Sequence, residues 1–323
     1  MTTLELITLP PSSASDAALA ITVRMDGEDL SHHDLSRDRL REVRAIVDHF
    51  RTLYCHPIPA ELGHRAITST GIELFDAWLA PAWPILIPRM PAGQPVVLLL
   101  RTPLPEIIHL PWEVLLPPDR RPWIENAGHS IRRLGGDPKR SYPVFPHQAY
   151  HPLNILVRSA PETAPILPPS CQSRVKMCPE RTLHGLMQQT RSFRPHLVIL
   201  EGTSLVRARQ GFFMFEDDEG QPDPRTGGEI AAQGMNDCGV ETLIITGRPR
   251  GEPPPWSASA LLACDLALGG IPVTIAWPDR VHEGMGARFF TAFLDTLAQG
   301  IPLDEALWRH TADPPPIFPM IFG

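Results

Sequence analysis

Residues 194–204 read Arg194-Pro195-His196-Leu197-Val198-Ile199-Leu200-Glu201-Gly202-Thr203-Ser204, and residues 239–251 read Gly239-Val240-Glu241-Thr242-Leu243-Ile244-Ile245-Thr246-Gly247-Arg248-Pro249-Arg250-Gly251. Each holds a short unbroken apolar run, 197–200 or 242–245, entered from a turn residue, Pro195 or Gly239. Runs of this length, rich in β-branched residues, predict strands buried on both faces of a parallel sheet. Glu201 to Ser204 and Thr246 to Arg250 then fall just past the strand ends, in loops. Loops at the carboxyl ends of an open α/β sheet are where ligands and chemistry sit. A site, if the chain has one, is expected there.

Outward from these two runs the pattern alternates. Strands are expected over 154–157 and 272–276, with a last one over 317–322. Helices are expected over 180–193, 228–233, 257–268, 284–299 and 303–310. Gly211-Phe212-Phe213-Met214-Phe215 followed by Glu216-Asp217-Asp218-Glu219-Gly220 reads as an antiparallel hairpin with an acidic tip. Its residue order is not that of a calcium-binding loop, so the tip is read as a solvated turn. Strands alternating with helices predict an α/β three-layer sandwich, with a mostly parallel central sheet and helices on both faces.

Upstream, 4–9 and 18–25 read as two paired strands, the second ending at an Asp26-Gly27 turn. Leu40, Val43, Ile46, Val47, Phe50 and Leu53 recur at three and four residues, which predicts a surface helix from Ser36. A second helical stretch over 61–79 is expected to break near Ser69-Thr70-Gly71, because glycine weakens a helix interior. His32 and His33 read as exposed loop imidazoles, not metal ligands. Strands are also expected over 95–101 and 130–134. Between them, Glu113 is embedded in apolar surroundings, and a carboxylate there needs a partner, expected to be local. The proline- and glycine-containing segment 135–152 marks the expected boundary between an N-terminal α/β region, 1–150, packed onto a core, 151–323.

The 323 residues suit about two ordinary cores. A net charge of −7, spread along the chain, argues against a nucleic-acid or anionic-membrane footprint. No apolar run reaches the roughly 18 residues of a membrane span, and the start lacks a charged-then-apolar leader, so a cytoplasmic protein is expected. The five cysteines are odd in number with no CxxC pair, which argues for free thiols and against a disulfide framework or structural zinc. Nothing implies a cofactor or metal.

Several segments, in order, resemble the CHAT family, the caspase- and separase-like cysteine peptidases. Leu110-Pro111-Trp112-Glu113-Val114-Leu115-Leu116 resembles the family's LPWELL segment. Thr182-Leu183-His184-Gly185-Leu186 with Arg194 to Val198 resembles the helix and strand before its catalytic histidine, and Gly211 to Gly220 resembles its acidic hairpin. Ser259-Ala260-Leu261-Leu262 with Gly270-Ile271-Pro272-Val273, and Phe289 to Ala306, resemble the elements after its cysteine. The resemblance covers roughly residues 95–323 and implies a caspase-like sandwich.

It also implies a histidine base in a Ser-Gly-His-Gly-like turn after the first strand and a cysteine nucleophile after the second. Here the first alignment puts Thr203 at the histidine, and the second, without gaps, puts Arg248 at the cysteine. Such catalysis needs a thiolate and a base to make it. Threonine has no basic nitrogen and arginine is permanently protonated. Cys238, His184 and His196 lie before the strands, at the wrong end of the sheet, and Cys264 falls on a helix. His282 follows its strand but is a lone imidazole.

The expectation is a catalytically inactive pseudo-peptidase that binds a protein or peptide, such as an active CHAT or caspase-like peptidase, in a bacterial defence or cell-death system. Its binding residues would be Glu201, Thr203, Ser204, Arg248 and Arg250, the arginines making the cleft suited to an acidic peptide. The alternative is a divergent cysteine or serine peptidase using a non-family nucleophile, such as Ser204.

Overall fold

The computed structural model describes residues 2–11, 17–54, 60–91, 94, 96–118, 123, 129–135, 153–159, 173–208, 210–250, 256–276, 285–301, 303–309 and 320–322. At 51–54, 60–62, 64, 173, 247–250, 256–257, 285–290, 304 and 308 it describes the backbone alone. The chain divides into two compact units, Met1–Tyr142 and Pro143–Gly323. No described helix is long and apolar enough to cross a membrane.

The first unit holds β1 (Thr2–Leu9), β2 (Ala17–Met25), β3 (Glu28–Ser36), α1 (Arg37–Tyr54), α2 (Ala60–Trp78), α3 (Trp83–Leu86), β4 (Val96–Thr102), α4 (Pro105–Ile108) and β5 (Ser130–Gly135). Its strands lie in the order β5-β4-β1-β2-β3. β1, β4 and β5 are parallel, whereas β2 runs antiparallel to both β1 and β3. Every residue of β4 is buried, as a central strand covered on both faces requires.

His32 and His33 do not sit in a loop: they belong to β3, the edge strand. Its polar run Glu-Asp-Leu-Ser-His-His-Asp-Leu-Ser lacks the apolar alternation that marks a half-buried strand. What makes it pair is the turn before it. Asp26 and Gly27 both have positive φ, 48° and 89°, as a two-residue hairpin turn demands. His32 then faces Thr22 across the ladder, with Nδ1 3.0 Å from the hydroxyl.

The helix expected to break at Gly71 is continuous. Gly71 is there because α2 crosses the Trp112–Val114 turn at that point: a Cβ would overlap Val114 O and stand 2.9 Å from Leu116 Cβ. The Leu116 amide donates to Gly71 O at 3.1 Å, tying the helix to the turn. Glycine here serves close approach, at a cost in helix propensity.

The second unit holds β6 (Leu153–Arg158), β7 (Ser173–Cys178), α5 (Leu183–Phe193), β8 (Leu197–Arg207), β9 (Gln210–Glu216), β10 (Pro222–Thr226), α6 (Gly227–Ala231), β11 (Thr242–Arg250), α7 (Trp256–Leu268), β12 (Val273–Ala276), α8 (Met285–Ala298), α9 (Leu303–Arg309) and β13 (Met320–Phe322). β7, β6, β8, β11 and β12 are parallel neighbours, and β13 pairs antiparallel with β12. The expected hairpin is present as β9 and β10, turning at Asp217 to Gly220. Sequence reading passed over β7, whose Ser-Arg-Val-Lys-Met-Cys carries two cations, and began α5 too early. The helix starts at an N-cap, Thr182, whose hydroxyl accepts from the Gly185 amide.

Alternation sorts this sheet's faces. Ile155, Val157, Leu197, Ile199, Ile244, Val273 and Ile275 pack with Phe293 and Leu294 of α8 and Leu303, Ala306 and Leu307 of α9. α7 covers the other face, where the Thr274 hydroxyl donates to Ala263 O at 2.6 Å. The sheet is therefore mostly parallel, with helices on both faces: an α/β sandwich of three layers.

Candidate functional site

The residues expected in loops after the two decisive strands are themselves strand. β8 and β11 continue in parallel register past their apolar cores, pairing Glu201 with Thr246, Gly202 with Gly247, Thr203 with Arg248, Ser204 with Pro249 and Leu205 with Arg250. The extension has a physical source in the neighbouring strands. β6 serves one edge of β8 only as far as Leu200, opposite Arg158, and β9 takes over that edge antiparallel from Ser204, opposite Phe213. Each half of β8 thus has partners for its backbone groups, and the strand does not end where its apolar run does.

Alternation divides the site residues into two groups. Glu201 and Thr203 lie on the face of Leu197 and Ile199, with Thr246 and Arg248 beside them on β11. Glu201 and Thr246 are both 4% exposed, and the Thr246 hydroxyl has no hydrogen-bond partner among the described residues. Ser204, also buried, lies on the opposite face next to Phe213. The two hydroxyls that sequence set side by side, Thr203 and Ser204, therefore point away from each other. Arg250 takes the same face as Arg248, one pleat on; of both arginines the backbone alone is described.

The sulfur and imidazole groups lie elsewhere. His196 precedes β8, and its Nδ1 accepts from the Asn154 amide at 3.1 Å, a job at the amino end of the sheet. Burial holds its pKa below the usual imidazole value. Cys238 lies in a one-turn helix at 236–238 and donates to Gly234 O. His184 is exposed on the first turn of α5, and Cys264 is on α7. His282 lies outside the described residues, as do Cys55 and Cys171. Cys178, which sequence reading did not weigh, does stand at the carboxyl end of the sheet, where it closes β7 opposite Arg158. It is buried, and burial pushes its thiol up, away from the thiolate that nucleophilic attack requires.

Arg158 was also missed. It closes β6 and is 7% exposed, with its guanidinium 5.1 Å from the Phe213 ring and 5.3 Å from the Phe215 ring. Nη1 donates to Glu201 O at 3.3 Å and Nη2 to Arg181 O at 3.4 Å. It bridges the short gap, Glu201 to Thr203, between the end of β6 and the start of β9 along β8. Gly202 makes room for it: a Cβ there would meet Phe213 Cζ at 2.7 Å and Arg158 Nη1 at 2.8 Å. The signal available in sequence was a cation ending an otherwise apolar strand, Leu-Asn-Ile-Leu-Val-Arg.

No known family model matches the chain, and no curated protein matches it.

Proposed function

We propose that the chain is a catalytically inactive, caspase-like pseudo-peptidase of the kind the CHAT resemblance implies, acting as a protein- or peptide-binding subunit. The observation that carries this reading is the register of Thr203 against Arg248. The two positions that the resemblance assigns to base and nucleophile are direct neighbours on adjacent parallel strands, as a dyad would need. Their side chains offer neither a nitrogen able to accept a proton near neutral pH nor a thiol. An arginine at the rim favours a carboxylate, so the partner is an acidic peptide segment, presented by an active relative or another component of a defence or cell-death system in the cytoplasm.

The test has two arms. Cysteine- and serine-directed covalent probes should leave this rim unlabelled, and acidic peptides should bind with at least tenfold weaker affinity after Arg248→Glu. A residue of the rim that is labelled, and whose substitution abolishes peptide hydrolysis, would overturn the reading in favour of a divergent peptidase. The placement of Ser204 on the opposite face from Thr203 speaks against that alternative.

A further inference from the structure

We infer that Arg158 is the centre of a second, anion-binding subsite, on the sheet face opposite Thr203, that takes a single carboxylate or phosphoryl group. A guanidinium has five N–H donors, and the two donated here go to carbonyls at 3.3 and 3.4 Å, long for charged donors. Nε has no partner among the described residues, although the side chain is more than nine-tenths buried. Among the described residues no carboxylate contacts the guanidinium. The one whose charge it feels, Glu216, is already held by Arg181 Nη1 at 3.1 and 3.3 Å. Cys178, opposite it on β7, stays a neutral thiol because burial raises its pKa, so it supplies no counter-charge. Phe213 and Phe215 offer ring faces, which attract a cation but satisfy none of its N–H groups. A buried charge without a counter-ion is costly, and native proteins keep one where something binds it.

A second feature converges on the same point. Arg158 Nη2 reaches Arg181 O, the residue just before the N-cap of α5, an eleven-residue helix. The Gly185 amide is taken by the cap and the Leu186 amide by Thr182 O, whereas the first amides, of Leu183 and His184, have no acceptor within the helix. Helix amides beside a buried guanidinium form a setting for an oxyanion. Among the described residues, Glu180 holds its carboxylate near Gly185 and Lys176 holds its ammonium over the Phe193 ring. The small residual exposure of Arg158 restricts the ligand to one compact acidic group. The site depends on neither Thr203 nor Arg248, so it stands whether or not the pseudo-peptidase reading does.

The experiment titrates the full chain, at constant ionic strength, with inorganic phosphate in one arm and N-acetyl-aspartate methylamide in the other. The matching asparagine derivative is the neutral control. Thermal midpoint and arginine Nε–H resonances are read together. At least one anion should raise the midpoint and shift one Nε–H signal, with the arm that responds naming the ligand's source and the control silent. Arg158→Gln should weaken the response at least tenfold and remove the shifted Nε–H signal, whereas in Arg248→Glu, which alters only the acidic-peptide contact of the proposed function, that signal should titrate as in the unaltered chain. Should Arg158→Gln not fold, crystals of the unaltered protein soaked in selenate decide by anomalous scattering. A selenium peak within hydrogen-bond reach of Arg158 Nε supports the subsite. Absence of a peak there, or no response to either anion in solution, overturns it.

Discussion

Glu113 and Arg133 form a bidentate ion pair inside the first unit, with Arg133 fully buried and Glu113 5% exposed. Arg133 also donates through Nε to Ile108 O at 2.8 Å and through Nη2 to Leu110 O at 3.1 Å. One side chain from β5 therefore gathers the whole Ile107-to-Glu113 turn, and Trp112 adds a bond from Nε1 to Ile107 O. The partner that Glu113 required is not local but twenty residues away.

Removing one member of that pair leaves a buried charge uncompensated. Glu113→Gln or Arg133→Met should each cost about 3–5 kcal/mol in urea unfolding of the first unit. Replacing both by apolar residues of matching volume should recover most of that loss, because the pair's own desolvation penalty disappears with it. Equal losses in the single and double variants would show that the turn depends on the carbonyl contacts of Arg133 and not on the charge pair.

The Thr203 and Arg248 register predicts a dyad that can be installed. Neighbouring strands stand about 4.8 Å apart, so an imidazole and a thiol at in-register positions on one face come within contact. The double change Thr203→His with Arg248→Cys should lower the introduced thiol's pKa from about 8.5 toward about 7, read as thiolate absorbance against pH and as faster alkylation by iodoacetamide. Arg248→Cys alone should not do so. If the two variants titrate alike, the side chains do not meet and the family alignment of these strands is wrong.

Most of the second unit was legible because its strands announce themselves twice, by apolar runs and by the helices between them. Leu197–Leu200 and Thr242–Ile245 could not show where the strands end, since that depends on β9, which turns back at Gln210 to pair with β8 as far as Ser204, beyond anything the apolar runs mark. The same limit explains Ser204: neighbours in sequence are assumed to share a site until the pleat separates them. β3 and β7 were missed for a common reason, that a strand at the side of a sheet can be polar and still pair. The Glu113 partner was beyond reach because sequence shows that a buried carboxylate needs a cation, not which one.

Gly71 offers a substitution whose sign differs from the helix-propensity rule. In an exposed helix, Gly→Ala is worth up to about 1 kcal/mol of stability. At Gly71 the added methyl overlaps Val114 O, backbone that cannot rotate away, and lies 2.9 Å from Leu116 Cβ. Gly71→Ala should therefore destabilise the first unit by about 1–3 kcal/mol, seen as a lower urea midpoint with unchanged slope. A raised midpoint would mean that α2 does not press on the 112–114 turn.

His196 gives the second unit an acid sensitivity whose sign follows from its partner. Burial holds its folded-state pKa below the ordinary 6.5, and its Nδ1 must stay unprotonated to accept from the Asn154 amide. In the window below about 6.5 and above the depressed folded value, the unfolded chain binds more protons than the native one, so stability rises with pH there. The contribution is complete above the unfolded pKa and is lost as pH falls through that window, with a slope of at most about 1.4 kcal/mol per pH unit for one proton. Urea midpoints measured between pH 7.5 and pH 5 should fall less steeply for His196→Gln, whose amide oxygen can accept the same bond without titrating. A variant as acid-sensitive as the unaltered chain would assign the slope to another group.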